Sequence, residues 1–203
     1  LIKSKEELIR EVGLEMARRD PDKIKTHVAV TDGERALQQG ILKELKGTRL
    51  ILDLLHVLGY LWKAAYVFHP EGSPEAEAWV RERSLRILKG GVSQVVKGLR
   101  QMVTKRRLKG MARKTLLGVA GYFYRNRSRM RYHEYLAEGL PIASGAVEGA
   151  CRNLIKDRME RSGMRWTMSM AEAMVQLRAA YLSDDFEEYW AFHLKKDQLR
   201  LHP

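Results

Sequence analysis

The chain has 203 residues, 45% of them apolar, with 37 Lys or Arg against 25 Asp or Glu and a formal net charge of +12. That apolar share suffices for the core of one large domain or two small ones, and a single cysteine excludes a disulfide framework or a cysteine-built zinc site and suits a reducing cytosol. The longest apolar region, LILDLLHVLGYLW at residues 50 to 62, is interrupted by Asp53 and His56 and falls short of the about 20 residues of a membrane span, so neither a membrane helix nor a signal peptide is expected.

Residues 4 to 19 read as an amphipathic helix, with Leu8, Val12 and Met16 as its inward stripe and a stop at Asp20-Pro21. The chain opens at Leu1 directly on this helix, without a preceding strand, which reads as a fragment of a longer protein. The period then changes. THVAVTDG, residues 26 to 33, is a short β-branched run closed by an acid and a glycine, the pattern of a strand and a tight turn. ERALQQGILKELKG places Leu37, Ile41 and Leu45 on one helical face with Gly47 as its stop, and TRLILDLLH is a second apolar run. Strand, helix and strand within about 30 residues predict a βαβ unit, hence parallel strands joined by a right-handed crossover. Ligand sites in such sheets lie beyond the carboxyl ends of the strands, where Asp32 and then Asp53 with His56 fall.

From Val57 onward the patterns are helical: VLGYLWKAAYVF, PEAEAWVRERSLRILKGGVSQVVKGLRQM and RKTLLGVAGYFYRNR, parted by turns containing Gly or Pro. Between Arg83 and His133 stand 15 Lys or Arg and no Asp or Glu, and the remainder of the chain carries a net charge of −3. So concentrated a field attracts polyanions, nucleic acid above all; the plain alternative is a solvated basic face. Tyr122, Phe123, Tyr124 and Tyr132 are interleaved with it and could stack on exposed bases, although their helical spacing suits a core equally. The α/β part resumes at PIASGAVEG, residues 168 to 193 form a further helical stretch broken at Ser183-Asp184-Asp185, and the tail KKDQLRLHP is expected to fray.

Each acid has two readings. Asp32, in TDGER, is either a turn former or a strand-end functional carboxylate. Glu148 stands in the first turn of the helix after PIASG, where a carboxylate favours the macrodipole. With Ser144 as N-cap the capping-box slot is Val147, so Glu148 either pairs with Arg152 one turn on or belongs to a site. Asp53 and His56 most simply cap the following helix or hold a neighbouring element. Cys151 is expected on the buried side of the Glu148 helix with Val147 and Leu154, and Trp62, Trp79, Trp166 and Trp190 are expected in the core.

VTDGERAL, ILDLLHVLGYLWKAA and RMRYHEYLAEGLPIASGAVEGACRNLIKDRMERSGMRWT, in this order, resemble the C-terminal half of bacterial insertion-sequence transposases of the ISKra group, over about residues 26 to 200. These are DDE-type enzymes with a ribonuclease H-like fold. The resemblance implies a mostly helical α/β fold: a partial ribonuclease H-like core over 1–56, a basic helical insertion over 57–140, a core helix with the catalytic glutamate and the helix after it over 141–183, and a C-terminal helix and tail over 184–203. It implies that Asp32 and Glu148 are catalytic metal ligands for Mg²⁺ or Mn²⁺, with Asp53, His56 and Trp166 as supporting positions. Lys105, Arg106, Arg107, Arg125, Arg127 and Arg129 would neutralise DNA phosphates, giving affinity and register but no sequence readout. The partners would be transposon ends and target DNA, the complete protein a homo-oligomer, the location the bacterial cytoplasm.

The two-ion chemistry of such enzymes needs a first aspartate on an earlier strand. The acids that closely precede Asp32 are Asp20 and Asp22, at a helix stop, so the first aspartate is expected to be missing and the chain alone inactive in cleavage. The alternatives are a non-catalytic DNA-binding remnant or a ribonuclease H-like nuclease acting on RNA or hybrids.

Overall fold

Ser4 opens the first helix as its cap. Its hydroxyl accepts the N–H of Glu7 and the Glu7 carboxylate accepts the N–H of Ser4, a reciprocal box that fixes the start of α1 (Lys5–Arg19). At the other end Asp20 is buried, accepting the N–H groups of Ile24 (3.0 Å) and Lys25 (3.2 Å) and bonding Nε2 of His27 (2.9 Å). This acid therefore organises the loop into the first strand. The computed structural model describes residues 3–160 and 163–201, which fall into two units, Leu1–Ser144 and Gly145–Pro203.

The predicted βαβ unit is present as β1 (Val28–Thr31), α2 (Arg35–Glu44) and β2 (Arg49–Leu52). The strands are parallel, with Val28 opposite Arg49 and Thr31 opposite Leu52. Helix α2 ends sooner than the sequence implies: Glu44 is its last residue and Leu45 its cap, and Gly47, at φ 84°, lies in the turn that leads into β2. The inward stripe of α1 differs from expectation. Leu8 and Val12 are exposed and Ile9 is buried, because α1 meets α2 through glycines: Ile9 packs onto Gly40 and Leu45 onto Gly13. The face that allows this close approach is Ile9, Gly13 and Met16, where Ile9 and Met16 join Ile41, Leu45 and Leu50 in a small core.

A run of helices follows: α3 (Leu54–Ala65), α4 (Pro74–Leu88), α5 (Val92–Lys105), α6 (Gly110–Asn126), a 3₁₀ turn (Arg127–Arg129) and α7 (Tyr132–Ala137). The long basic stretch breaks into α4 and α5 at Gly90-Gly91. Ile51 and Leu52 of β2 share one core with Leu61, Leu99, Leu116 and Phe123 of these helices. Burial of these side chains, each roughly 1.5–3 kcal/mol, is what holds so small a sheet in place. Tyr132 is fully buried and its hydroxyl donates to the Leu52 carbonyl at 2.8 Å, tying α7 to the last residue of β2.

In the second unit α8 (Gly145–Cys151) runs through a π-helical turn, Arg152–Lys156, into α9 (Asp157–Met159). The guanidinium of Arg178 donates to the carbonyls of Asn153 and Leu154 in that widened turn. Arg178 belongs to α10 (Met168–Leu182), capped by Thr167 and separated by residues 183–185 from α11 (Phe186–Leu201). Phe186 gathers Tyr181, Tyr189 and Trp190 around its ring. Three expectations are corrected here. Cys151 and Val147 are exposed, since α8 turns that side to solvent; Trp190 is 45% exposed; and the tail is helical as far as Leu201, its last two residues lying outside those described. Among the described residues no helix is long and apolar enough to cross a membrane.

Candidate nucleic-acid interface at the strand ends

Asp32 follows β1 directly, and its exposed carboxylate accepts the N–H of Glu34 at 2.9 Å, a local turn of the kind Asp favours. Its carbonyl accepts the hydroxyl of Tyr122, from the C-terminal half of α6. Burial, and then the negative potential of Tyr60, Asp32 and Asp53, pushes the Tyr122 hydroxyl well above its ordinary pKa, so it stays a proton donor. Gly33 turns away behind Asp32 at φ 90°, and a Cβ there would sit 2.9 Å from the Tyr122 hydroxyl and 3.0 Å from Leu52. Gly33→Ala is therefore expected to lower stability by about 1–2 kcal/mol from the backbone alone. The check is thermal unfolding, which should drop by several degrees; an unchanged midpoint would mean that the turn is not held as described.

Asp53 follows β2 directly and is 2% exposed. One oxygen accepts the N–H groups of Leu55 and Ser144, each at 3.1 Å; the other takes the Ser144 hydroxyl at 2.6 Å and Nδ1 of His56 at 2.9 Å. Burial pushes its pKa up, but the bonds from Ser144, His56 and Leu55 outweigh it and hold the carboxyl below the ordinary range. Ile142 adds its carbonyl to the N–H of Leu54 at 3.0 Å. Asp53 is thus the cap of α3 and the anchor of the segment 142–144, the plainer of its two sequence readings. His56 stands half-exposed beside it.

The basic residues divide. Arg125, Arg127 and Arg129, at the end of α6 and in the 3₁₀ turn, line a cleft of about 600 Å³ together with Arg35, Gln38 and the Gly33 turn. Lys105 lines a neighbouring groove of about 490 Å³ between α5 and α6, and Arg127 borders both. Arg106 instead lies over the ring of Phe68, 4.5 Å from its centroid, and Arg107 lines neither cavity. Sequence reasoning missed Arg35, Lys97 and Arg100. The last two were detectable, because Ser93, Lys97, Arg100 and Thr104 make one polar stripe along α5 and all four line the groove.

Of the four interleaved aromatics, Tyr122, Phe123 and Tyr132 are buried and Tyr124 is 47% exposed. Glu148 is exposed on α8, in the second unit, and Trp166 of that unit is partly buried, with no partner for its indole nitrogen among the described residues. Among the described residues no three His, Cys, Asp or Glu side chains are grouped to hold a metal ion. No family model matches this chain, and no curated protein or solved structure matches it either.

Proposed function

We infer that the chain binds DNA through the arginine cleft, as part of a DDE-type transposase with a ribonuclease H-like core. The observation that carries the reading is the position of the cleft: four arginines, Arg35, Arg125, Arg127 and Arg129, converge beside the turn that follows Asp32, at the carboxyl end of a parallel strand. Open α/β sheets place their ligands at that end. A phosphate backbone laid along the cleft meets guanidinium groups that match its oxygens two at a time.

In this reading Asp32 and Glu148 are the catalytic acids and the wider protein is an oligomer in a bacterial cytoplasm. The ion implied is Mg²⁺ or Mn²⁺, which takes oxygen ligands. The described donors do not make such a site on their own: Asp32 contributes one exposed carboxylate, and both oxygens of Asp53 are engaged in hydrogen bonds. Metal chemistry would require carboxylates beyond these.

The test is fluorescence anisotropy of the purified chain with a labelled duplex across a range of salt. Four phosphate contacts predict a slope of log K against log salt of about −4. Absence of binding at low salt would overturn the reading. With Mg²⁺ present the chain alone is expected to bind and leave the DNA intact; cutting that is lost in Asp32→Asn would instead place a whole catalytic site in this chain.

A further inference from the structure

The groove between α5 and α6 is built differently from the arginine cleft beside it. Its floor is apolar, formed by the buried Val92 and Val96. Its rim carries Lys97, Arg100, Lys105 and Arg127 with no acid among its lining residues. The ring of Tyr124 stands at the boundary with the cleft, and the guanidinium groups of Arg127 and Arg100 lie 4.2 and 5.2 Å from its centroid. Tyr122 and Phe123 on the same helix are buried, but the Tyr124 ring is half in solvent and covered by these two exposed guanidinium groups, so a base that stacks on it takes the place of one of them.

A duplex offers such a groove only phosphates, which have no use for a floor of valines. An unpaired nucleotide offers both halves of the match: a base with an apolar face for Val92, Val96 and Tyr124, and a phosphate for the basic rim. The volume of about 490 Å³ lies in the range that small ligands occupy, roughly 300–1,000 Å³. Tyr124 and Arg127 line both cavities, so a strand leaving the cleft passes directly into the groove.

We propose that the α5–α6 groove takes up an unpaired nucleotide of a DNA strand whose paired part lies in the arginine cleft, with Tyr124 as the stacking platform. This rests on the DNA-binding reading above and adds to it a preference for the junction between paired and unpaired DNA.

The experiment compares three labelled DNAs by anisotropy with the full chain: a blunt duplex, the same duplex with a short single-stranded extension of either polarity, and that extension made abasic. The extended duplex is expected to bind about tenfold tighter than the blunt one, the scale of one stacked base. The abasic extension should lose most of that gain, because it keeps the phosphates and removes the base. Tyr124→Ala should bring extended and blunt DNA to within about twofold of each other, while Tyr124→Phe keeps the preference. Equal binding of blunt and extended duplexes would overturn the proposal and leave the cleft intact. The proposal falls equally if the abasic extension binds as tightly as the normal one, or if folded Tyr124→Ala keeps the preference. If none of the three DNAs binds, the DNA-binding reading itself fails.

Discussion

Replacing Arg125, Arg127 and Arg129 together by glutamine is expected to leave the chain folded and nearly abolish its salt-sensitive affinity for duplex DNA. These three supply most of the cationic lining of the cleft, Arg35 being the fourth. Each phosphate contact contributes about −0.9 to the slope of log K against log salt, so the slope should fall from about −4 to about −1. Between about 50 and about 200 mM salt the parent chain would lose roughly 250-fold in affinity and the triple variant only about fourfold. The fold should tolerate the change. Arg125 and Arg127 are exposed, Arg127 touching the carbonyl and ring of the neighbouring Tyr124, and surface substitutions of this kind move stability by about 0.5 kcal/mol or less.

The matching control removes the same charge elsewhere. Arg10, Arg18 and Arg19 lie on α1, paired with Glu44 or Glu15, and their replacement by glutamine changes the net charge equally. If binding depends on the cleft, the slope is retained in this control. An equal loss in both triple variants would mean that diffuse charge, and not the convergence of arginines at the strand end, holds the DNA.

Asp53→Ala is the substitution with the largest expected cost to the fold. It removes the cap of α3, about 1 kcal/mol by itself, and the carboxylate that accepts the N–H and the hydroxyl of Ser144, for a combined loss of about 3 kcal/mol. The unfolding midpoint should drop by roughly 6–12 °C. The same variant separates two roles. A carboxylate kept for an ion is electrostatically costly without it, so its removal would leave the metal-free chain unchanged or more stable; a structural anchor gives the loss described.

The acid side of the stability profile checks the same anchor. The folded-state pKa of Asp53 lies below the ordinary aspartate value of 3.8. Its stabilisation is therefore complete above that value and is lost as pH falls through the depressed one. Asp20, also depressed although its burial works the other way, through the N–H of Lys25 and the His27 ring, acts in the same window. Urea unfolding at pH values of about 5 and about 3 should show a steep fall for the parent chain and a shallower one for Asp53→Ala. Parallel profiles would mean that Asp53 does not titrate as its hydrogen bonds imply.

Elements whose signals are local were legible without coordinates. The helix start at Ser4 and the break at residues 183–185 each involve residues within a turn or two of one another, and the structure places them where the sequence does. The stripe of α1 was not legible, because its inward face depends on a partner helix that presents Gly40. Leu8 and Val12 fit an amphipathic pattern as well as Ile9 does; only the close packing against α2 chooses between them.

The same division runs through the candidate site. Amino-acid order alone determined that Asp32 and Asp53 end adjacent parallel strands and that one segment of the chain carries the whole excess of positive charge, since period, turn chemistry and composition are local quantities. Tertiary structure alone decided which charges act together. It joined Arg35 of α2 to Arg125, Arg127 and Arg129, turned Arg106 onto Phe68, left Tyr124 exposed while burying Tyr122 and Phe123, and gave the oxygens of Asp53 to Ser144, 91 residues further on. Such pairings depend on which helix faces meet when the common core closes, and no periodicity within a single segment encodes that.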